Sequence, residues 1–356
     1  MARKNVTLRD VAERAGVSVA TVSRLLNDRE LAVQVSDETR NRVLEATRVL
    51  GYRPNRLARA LVTEKKNIIG LSFPMWRPVE LISPYFHMSH SASIGALIDG
   101  VQTVTFPRGY EVLLIERCEF ESVARGQSRM ASCLDLVDGL IYATPNPAFD
   151  QYSPVLDQGV PLVMLGRVPN GPEVSCVRVD NAAEMNRVAQ ALIRKGHRRI
   201  ALILPMERTA PLSVFLAQGY RQALTSASVP LDESLVLEGG FEDKWGQHTA
   251  NRLLAMPNPP TAIIVGRSDL AVDVLGEVKL QGRRCPDDIE IVVWGDEYVF
   301  ESTDPSLTAV GGSFSEIGQR AAELLLDMVE GKVQEPKEVR IRPFYKERGS
   351  CHLDLT

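Results

Sequence analysis

The sequence predicts a small all-α head followed by a large α/β body that is built from two doubly wound subdomains. Three observations predict this fold class. The first 66 residues contain short amphipathic helices and no strand pattern. From Ile68 onward, short apolar runs alternate with helical segments, as in parallel sheets covered by helices. Residues 1–66 carry 14 Lys and Arg against 8 Asp and Glu, whereas the rest of the chain carries 27 against 37. A cationic terminal segment of this kind favours a polyanionic partner.

The three helices of the head have recognisable ends. A T-x-x-D capping box at Thr7 predicts the start of the first helix. Gly16 predicts the sharp turn that ends it, because glycine takes positive φ without steric cost. Ser18 and Ser36 are suitable N-caps for the second and third helices, and Gly51 ends the third. These helices form a helix-turn-helix with one small shared core.

The outward face of the second helix predicts that the head reads DNA. Val19 and Ala20 are small enough to approach a major groove and touch thymine methyl groups, and Arg24 can donate two hydrogen bonds to guanine. Hydroxyl and amide side chains nearby suit phosphate oxygens; they are Thr7, Ser18, Thr21, Ser23, Asn27, Ser36 and Thr39. The alternative is that these polar residues are caps and solvated positions, and capping is part of the role of Thr7, Ser18 and Ser36.

Seven near-continuous apolar runs predict the strands of the body. They are IIGLS (68–72), EVLLIE (111–116), DGLIYA (138–143), PLVMLG (161–166), RRIALIL (198–204), TAIIVG (261–266) and IEIVVW (289–294). Amphipathic helices end at Gly196, Gly282 and Gly331. The strands are too many for one compact sheet, and the turn-rich segment RVPNGPE (167–173) interrupts them midway. We therefore expect two subdomains whose strand ends face each other across a ligand cleft.

The composition indicates a globular protein without a membrane span or secretion signal. The 356 residues are 44% hydrophobic with a mean hydropathy of −0.08, and no apolar run reaches the about 18 residues of a membrane helix. The start, MARKNVTLRD, has no apolar signal-peptide core, so we expect a cytoplasmic protein. Scattered cysteines favour free thiols over disulfides or a zinc site; they are Cys118, Cys133, Cys176, Cys285 and Cys351.

Enzyme and metal chemistry find little support in the sequence. No Walker loop, G-x-G-x-x-G, H-E-x-x-H or G-x-S-x-G motif is present. Asp287 and Asp288 are adjacent carboxylates, but they lie at a turn that enters a strand, where aspartate is common. His87 and His90 have no convincing third ligand nearby and are better explained as solvent or pocket residues. We expect no enzyme activity, cofactor or metal.

The head and its linker resemble the LacI/GalR family of bacterial transcription regulators. T-L-x-D-V-A-x-x-A-G-V-S-x-x-T-V-S-R-x-x-N matches from Thr7 to Asn27, and Y-x-P-N-x-x-A-x-x-L matches from Tyr52 to Leu61. The resemblance implies that Val19, Ala20 and Arg24 read bases, and it adds Tyr52 and Asn55 to the phosphate-contacting positions. The loop over residues 28–35 is longer than in the best-known members, which puts the register of the third helix in doubt.

Residues 55–62 match the hinge helix of this family. A helix this short is marginal alone, because isolated helices below about 12 residues are barely stable in water, so the resemblance implies that it orders on DNA in a pair from two subunits. Ala58 and Leu61 then lie in the minor groove, where Leu61 acts as a wedge between base steps and bends the duplex. Ordinary helix packing of Leu61 is the alternative, but Arg56 and Arg59 beside it favour the wedge.

The resemblance continues through the body. VDGLIYATP, VPLVMLGR and CPDDIEIVV are similar to landmarks of the family's effector domain, whose fold is like that of periplasmic sugar-binding proteins. It implies a DNA-binding domain over residues 1–54, a hinge and linker over 55–66, and an effector-binding and dimerisation domain over 67–356. We assign 67–167 and 312–337 to the N-subdomain, and 168–311 and 338–356 to the C-subdomain.

The effector pocket departs from the family pattern at three positions. Leu216 stands where an arginine is common, Gly166 where an aspartate is common, and Gly295 where an acidic residue is usual. These losses put an ordinary monosaccharide in doubt. The segment 74–93 is interpreted as a long loop beside the cleft. The candidate effector contacts, for whose aromatic members a core role is an equal alternative, are Trp76, Tyr85, Phe86, Arg167, Phe215, Leu216, Arg267, Asp269, Trp294 and Asp296.

We therefore expect a homodimeric transcription repressor of the bacterial nucleoid that binds a palindromic operator in double-stranded DNA. Its small-molecule effector is expected to be a sugar or sugar derivative, and a tetramer is not excluded by the sequence. One alternative is a regulator that has lost effector sensing or that responds to a protein partner. A less favoured alternative is a sugar-binding or sugar-processing protein whose head mediates assembly.

Overall fold

The computed structural model describes residues 6–27, 35–52, 65–75, 84–118, 123–143, 152–167 and 173–355. The chain divides into two units, Met1–Lys66 and Asn67–Thr356. The first unit is the head and the second is the body.

Three helices form the head: α1 (Leu8–Ala15), α2 (Val19–Asn27) and α3 (Asp37–Leu50). The predicted capping box is present at the start of α1, where the Asp10 carboxylate accepts from the Thr7 backbone N–H at 2.7 Å and the Thr7 hydroxyl accepts from the Asp10 backbone N–H at 3.4 Å. Gly16 ends α1 with a φ of 65°. The buried core that joins the three helices consists of Val11, Ala12, Ala15, Val22, Val43 and Ala46.

The body contains twelve described strands in two sheets. In chain order they are β1 (Ile68–Met75), β2 (Glu111–Cys118), β3 (Gly139–Ala143), β4 (Leu162–Leu165), β5 (Ser175–Val179), β6 (Ile200–Ile203), β7 (Val236–Leu237), β8 (Ala262–Val265), β9 (Glu290–Trp294), β10 (Thr308–Gly311), β11 (Glu338–Ile341) and β12 (Phe344–Lys346). The first sheet has the order β11-β5-β4-β3-β1-β2 and is parallel throughout. The second has the order β12-β10-β9-β8-β6-β7, and only β12 is antiparallel to its neighbour.

Helices cover both faces of each sheet. They are α4 (Pro84–Thr105), α5 (Val123–Leu134), α6 (Ser153–Asp157), α7 (Asn181–Arg194), α8 (Pro211–Ser226), α9 (Trp245–Leu254), α10 (Ala271–Leu280) and α11 (Phe314–Val329). On the first sheet, α4 and α11 bury one face, whereas α5 and α6 bury the other. On the second sheet, α7 and α8 face α9 and α10 across the strands. This arrangement confirms the predicted pair of doubly wound subdomains.

The subdomain boundaries differ from those assigned to the sequence. Strand β5 pairs with β4 and with β11 inside the first sheet, so residues 175–179 and 338–341 do not belong to the C-subdomain. The turn-rich segment 167–173 connects β4 to β5 within one sheet and does not separate the two sheets. We call residues 67–179 and 312–341 the N-lobe, and residues 180–311 and 342–355 the C-lobe.

The structure also differs from the loop that the sequence predicted over residues 74–93. Residues 84–93 form the first half of α4, which is 22 residues long. The helix is tied to the end of β1 by a hydrogen bond of 2.9 Å between the His90 ring Nε2 and the Pro74 carbonyl oxygen. His90 therefore has a structural partner at the carboxyl end of the first strand.

Two other sequence expectations concern thiols and membrane helices. Cys176 and Cys351 are buried free thiols, and Cys133 and Cys285 are half-buried free thiols; the side chain of Cys118 lies outside the described residues. Within the described ranges, no helix is long and apolar enough to cross a bilayer.

Candidate nucleic-acid interface and effector cleft

The exposed face of α2 brings together the three residues expected to read bases. Val19 is 43% exposed, and Ala20 and Arg24 are also exposed. Val22, on the opposite side of the same helix, is completely buried in the core of the head. The core therefore orients α2 so that two small side chains and one guanidinium face outward from the same helix, as the sequence predicted.

Serine hydroxyls cap the N-termini of α2 and α3. The Ser18 hydroxyl accepts from the Thr21 backbone N–H at 3.1 Å, and the Ser36 hydroxyl accepts from the Thr39 backbone N–H at 3.4 Å. Both serines are exposed. Each helix N-terminus also presents free N–H groups and a positive dipole end, which suit a phosphate oxygen. The capping role that the sequence allowed is thus real, and it leaves these hydroxyls at the surface.

The structure describes only some of the other residues that were predicted to contact DNA. Ser23 is half-buried, and Tyr52 packs against the core of the head. For Asn27 only the backbone, at the end of α2, is described. The hinge residues Asn55, Ala58 and Leu61 lie outside the described residues, so their roles stay predictions.

In the body, Arg267 holds together the loops that follow three strands of the C-lobe. It follows β8, and its guanidinium donates to the Pro205 carbonyl oxygen after β6 at 2.6 Å and to the Gly240 carbonyl oxygen after β7 at 2.5 Å. It also forms an ion pair with Asp269, whose side chain is only 2% exposed, and it stacks over Phe241 at 4.8 Å from the ring centroid. Arg267 and Asp269, both candidate effector contacts, therefore hold the carboxyl edge of the second sheet.

Asp296 has partners on the C-terminal part of the chain. Its carboxylate pairs with Lys346 at 2.6 Å and with Arg348 at 2.8 Å. Burial, the largest single influence, opposes its ionisation, but the hydrogen bonds and positive charges of Arg348 and Lys346 together outweigh it and lower the pKa of Asp296. The residue predicted to bind an effector thus joins the end of β9 to β12.

Two other candidates belong largely to the core. Leu216 is completely buried among apolar side chains of the C-lobe, so the expectation that it contacts an effector is wrong: its side chain has no accessible surface. Trp294 is 7% exposed and packs in the same cluster. For Trp294 the core role is the one that the structure supports.

The last group of candidates is dispersed. Arg167 is exposed after β4 and pairs with Glu338 at 3.8 Å, whereas Phe215 is half-buried on α8. Tyr85 and Phe86 lie in the first turn of α4, but only their backbone is described. Trp76 lies outside the described residues.

The two glycines that replace common polar residues have a conformational role. Gly166 has a φ of 95° and Gly295 a φ of 97°, a left-handed backbone that side chains other than glycine rarely adopt. A Cβ at Gly295 would also lie 3.4 Å from the Cβ of Ser268. The backbone at both strand ends therefore favours glycine, independently of any ligand.

The sequence did not point to three polar residues that meet between the lobes. Ser268 follows β8, Glu297 follows β9, and both contact Ser89 of α4. The sequence also gave no indication of a role for Arg117 of β2, which is buried. Its guanidinium donates to the Ala143 carbonyl oxygen at 2.6 Å and stacks on the Tyr142 ring at 3.8 Å from the centroid. Polar residues just after strands were the available signal, but nothing in the sequence showed which strand ends come together.

Two family descriptions match the chain. Residues 7–55 match the bacterial regulatory proteins of the lacI family, and residues 189–351 match the periplasmic binding protein-like domain. The first match covers the three helices of the head, and the second covers most of the C-lobe.

Individual proteins are similar over almost the full length. The HTH-type transcriptional regulator CelR of Thermobifida fusca is 33% identical over 344 residues, which is 94% of this chain and 95% of that protein. A solved complex of the transcriptional regulator CelR with cellobiose has a TM-score of 0.70 at 29% identity and covers 97% of this chain and 100% of its own. The Lac repressor dimer bound to operator and the anti-inducer ONPF has a TM-score of 0.79 at 23% identity, covering 98% and 99%, and shows the same fold.

Proposed function

The chain belongs to the LacI family of bacterial regulatory proteins, and from this premise we propose that it is a repressor that binds a pseudo-palindromic DNA operator as a dimer. Members of this family are transcriptional regulators and not enzymes. The observation that carries the proposal lies on α2, where Val19, Ala20 and Arg24 are exposed while Val22 is buried. Each head reads one half-site in the major groove, and the half-sites lie about one helical turn apart.

Selection of DNA sequences by the full-length protein tests this proposal. The expected result is enrichment of a palindrome over random DNA, with an affinity that falls as salt rises because phosphate contacts release counterions. Arg24→Ala should cost about 1–3 kcal/mol of discrimination at one base pair of each half-site.

Arg48→Ala is the matched control, because Arg48 is paired with Glu45 on the exposed surface of α3. It removes the same charge from the head and should leave the base preference unchanged. A full-length protein that prefers no selected palindrome over random DNA would contradict the proposal. If the Arg24→Ala and Arg48→Ala variants show equal base preferences, Arg24 does not read a base.

We further propose that a sugar or sugar derivative binds between the lobes and changes operator affinity. The similarity to a regulator solved with cellobiose supports this effector class. Thermal-shift measurements with sugars, sugar acids, polyols, nucleosides and phosphorylated sugars test it. A supporting ligand both raises the melting temperature and changes operator affinity.

A specific set of observations favours a second candidate, in which the regulator does not sense a sugar. Leu216 is in the core, Gly295 carries no side chain, and Asp296 is paired with Lys346 and Arg348. The same ligand screen discriminates between the candidates. Binding of operator with no stabilising ligand in any class supports this second candidate, and one ligand that shifts both melting and operator affinity excludes it.

A further inference from the structure

Three polar side chains join the two lobes where strands β8 and β9 end. Ser89 belongs to α4 of the N-lobe, whereas Ser268 and Glu297 belong to the C-lobe. The Ser89 and Ser268 hydroxyl oxygens lie 2.9 Å apart. Ser268 donates to Glu297 Oε1 at 2.8 Å, and Ser89 donates to the same oxygen. We call these three residues the latch.

We propose that the latch is a closure device built into the body: it holds the two lobes together with the chain's own groups in the absence of an effector. Hydrogen bonds to a carboxylate are stronger than those between neutral groups. Ser268 is only 8% exposed and Glu297 is half-buried, so water competes poorly for these bonds. Separation of the lobes must break both the Ser89–Glu297 bond and the contact between the serines.

Each side of the latch is fixed to its own lobe. Next to Ser89, the His90 ring is bonded to the Pro74 carbonyl oxygen at the end of β1, so this part of α4 moves with the N-lobe. Glu297 precedes a 3-10 turn, Tyr298–Glu301, whose Phe300 is completely buried in the C-lobe core. The hydrogen bonds therefore connect two well-anchored elements and would resist a relative movement of the lobes.

The backbone around Gly295 makes room for the latch. Because Gly295 has no side chain, the nearest atoms to its ideal Cβ position are the Cβ and the hydroxyl of Ser268, at 3.4 and 3.6 Å. A Cβ there would lie at van der Waals distance from Ser268, and it would be strained by the positive φ of residue 295. Glu297, two residues further along the chain, supplies the carboxylate that accepts from both serines.

The latch should weaken the binding of any ligand that enters only when the lobes are apart. Such a ligand binds only the molecules in which the latch is open. Its apparent association constant is therefore the intrinsic one multiplied by the fraction of open molecules. Loss of the latch should therefore strengthen binding of a ligand that enters the open form. The effect on operator binding rests on the proposed function, but closure of the body does not.

Cross-linking of the full-length, ligand-free protein tests whether the lobes meet as described. In the Ser89→Cys/Ser268→Cys variant, mild oxidation should form the 89–268 disulfide, identified by peptide mass spectrometry. The matched control Ser132→Cys/Ser268→Cys pairs the same C-lobe position with an exposed serine of α5, and should not form this cross-link. Absence of the 89–268 disulfide, or equal yields in both variants, would overturn the proposal.

Hydrogen exchange tests whether the hydrogen bonds hold the lobes together. Ser89→Ala and Glu297→Ala should each speed amide exchange at the start of α4 and after β8 and β9 by at least about tenfold, the effect of losing a hydrogen bond to a charged group. The double variant should be little faster than either single variant, because both remove the same interaction. Ser234→Ala, which removes a hydrogen bond to Asp232 within the C-lobe, is the control and should leave these segments unchanged.

Unchanged exchange in both single variants, or additive effects in the double variant, would show that the latch does not hold the lobes. Neither measurement contains DNA. A protein that fails to select an operator but shows the cross-link and the non-additive exchange would contradict the proposed function alone, and the reverse pattern would contradict the latch alone.

Discussion

Glu290, at the start of β9, joins three parts of the C-lobe through one carboxylate. Its oxygens accept from the Cys351 thiol at 2.9 Å and pair with Lys195 and with His197, the latter at 3.4 Å. Burial, the largest single influence, opposes ionisation of Glu290, but hydrogen bonds from His197, Cys351 and Lys195 together with the Lys195 charge outweigh it and lower its pKa to about 2. The carboxylate thus fixes the C-terminal segment to the strand.

This pKa predicts how the stability of the body depends on pH. A carboxyl group with a lowered pKa in the folded state stabilises the protein above its unfolded pKa, and this contribution is lost as the pH falls toward the folded pKa. Glu290→Gln should lower the free energy of unfolding by at most about 3 kcal/mol at pH 7, and the difference from the unsubstituted protein should shrink between about pH 4.5 and 2. Denaturant titrations monitored on the α/β body measure it.

Glu323→Gln is the control for this prediction, since Glu323 pairs with Arg320 on the surface of α11. Surface pairs of this kind contribute about 0–1 kcal/mol. A difference between Glu290→Gln and the unsubstituted protein that stays constant from pH 7 to pH 3 would mean that the carboxylate is not the source of the stability.

The positive φ of Gly295 predicts that a side chain at this position destabilises the body. Gly295→Asp restores the acidic residue that is common in the family, but φ is 97° and the new Cβ would contact Ser268. The strained backbone should cost about 1–3 kcal/mol, seen as a lower melting temperature. Gly95→Ala in α4 is the control, because its Cβ meets open space and alanine favours a helix interior. A Gly295→Asp protein as stable as the control would contradict the role of backbone strain.

Residue roles were predictable where they depend on one helix and unpredictable where they depend on tertiary contacts. The exposure of Val19, Ala20 and Arg24 follows from helical periodicity and the apolar positions beside them. Leu216 is different: its position in a family motif suggested a cleft contact, whereas its apolar side chain packs in the C-lobe core. Glu297 and Ser89 are 208 positions apart, and nothing local in the sequence relates them.

At the scale of elements, seven of the twelve described strands were predicted, and β5, β7, β10, β11 and β12 were missed. Each of the seven apolar runs overlaps a strand from β1 to β9. The unpredicted β7 has only two residues, and β11, an edge strand, is partly exposed, with the pattern EVRI. Residues 84–93, which comparison with the family loop predicts as part of a long loop beside the cleft, form the first half of α4. Burial alone did not make a strand recognisable: β5 and β10 are largely buried, but their sequences, SCVRV and TAVG, lack the continuous run of large apolar residues that marks the predicted strands.

The hinge segment yields a prediction that concerns one element and its DNA. Leu61 lies outside the described residues, and the proposal for it rests on the match of Tyr52 to Leu61 with the family pattern. Leu61→Ala should reduce operator bending while keeping the half-site preference, because the wedge unstacks a base step without reading it. Circular-permutation gel shifts measure the bend. Leu57→Ala, in the same segment, is the control. If the Leu61→Ala variant and the unsubstituted protein bend the operator equally, Leu61 does not act as a wedge.

At the scale of the whole molecule, the C-lobe presents an exposed apolar surface suited to a second copy of the chain. It consists of Val272, Leu280, Tyr298 and Val299, of which Tyr298 is 89% exposed and Leu280 is 76% exposed. These side chains come from α10 and from the 3-10 turn after β9, and both elements contribute buried residues, Val274 and Phe300, to the same core cluster of the C-lobe. Groups of exposed apolar side chains often mark protein interfaces. We propose that this surface contributes to the dimer.

Tyr298→Asp should therefore weaken the dimer, because it places a charge in an interface that excludes water. Sedimentation or light scattering across a dilution series should show at least a tenfold higher dissociation constant, which corresponds to about 1.4 kcal/mol. Leu136→Asp adds the same charge at an exposed leucine of the N-lobe and is the control. Because two heads joined in one dimer bind two half-sites together, Tyr298→Asp should also lose affinity for the full palindrome but keep the affinity of one head for a single half-site. If the variant stays dimeric at the same dilution as the control, this surface is not the interface.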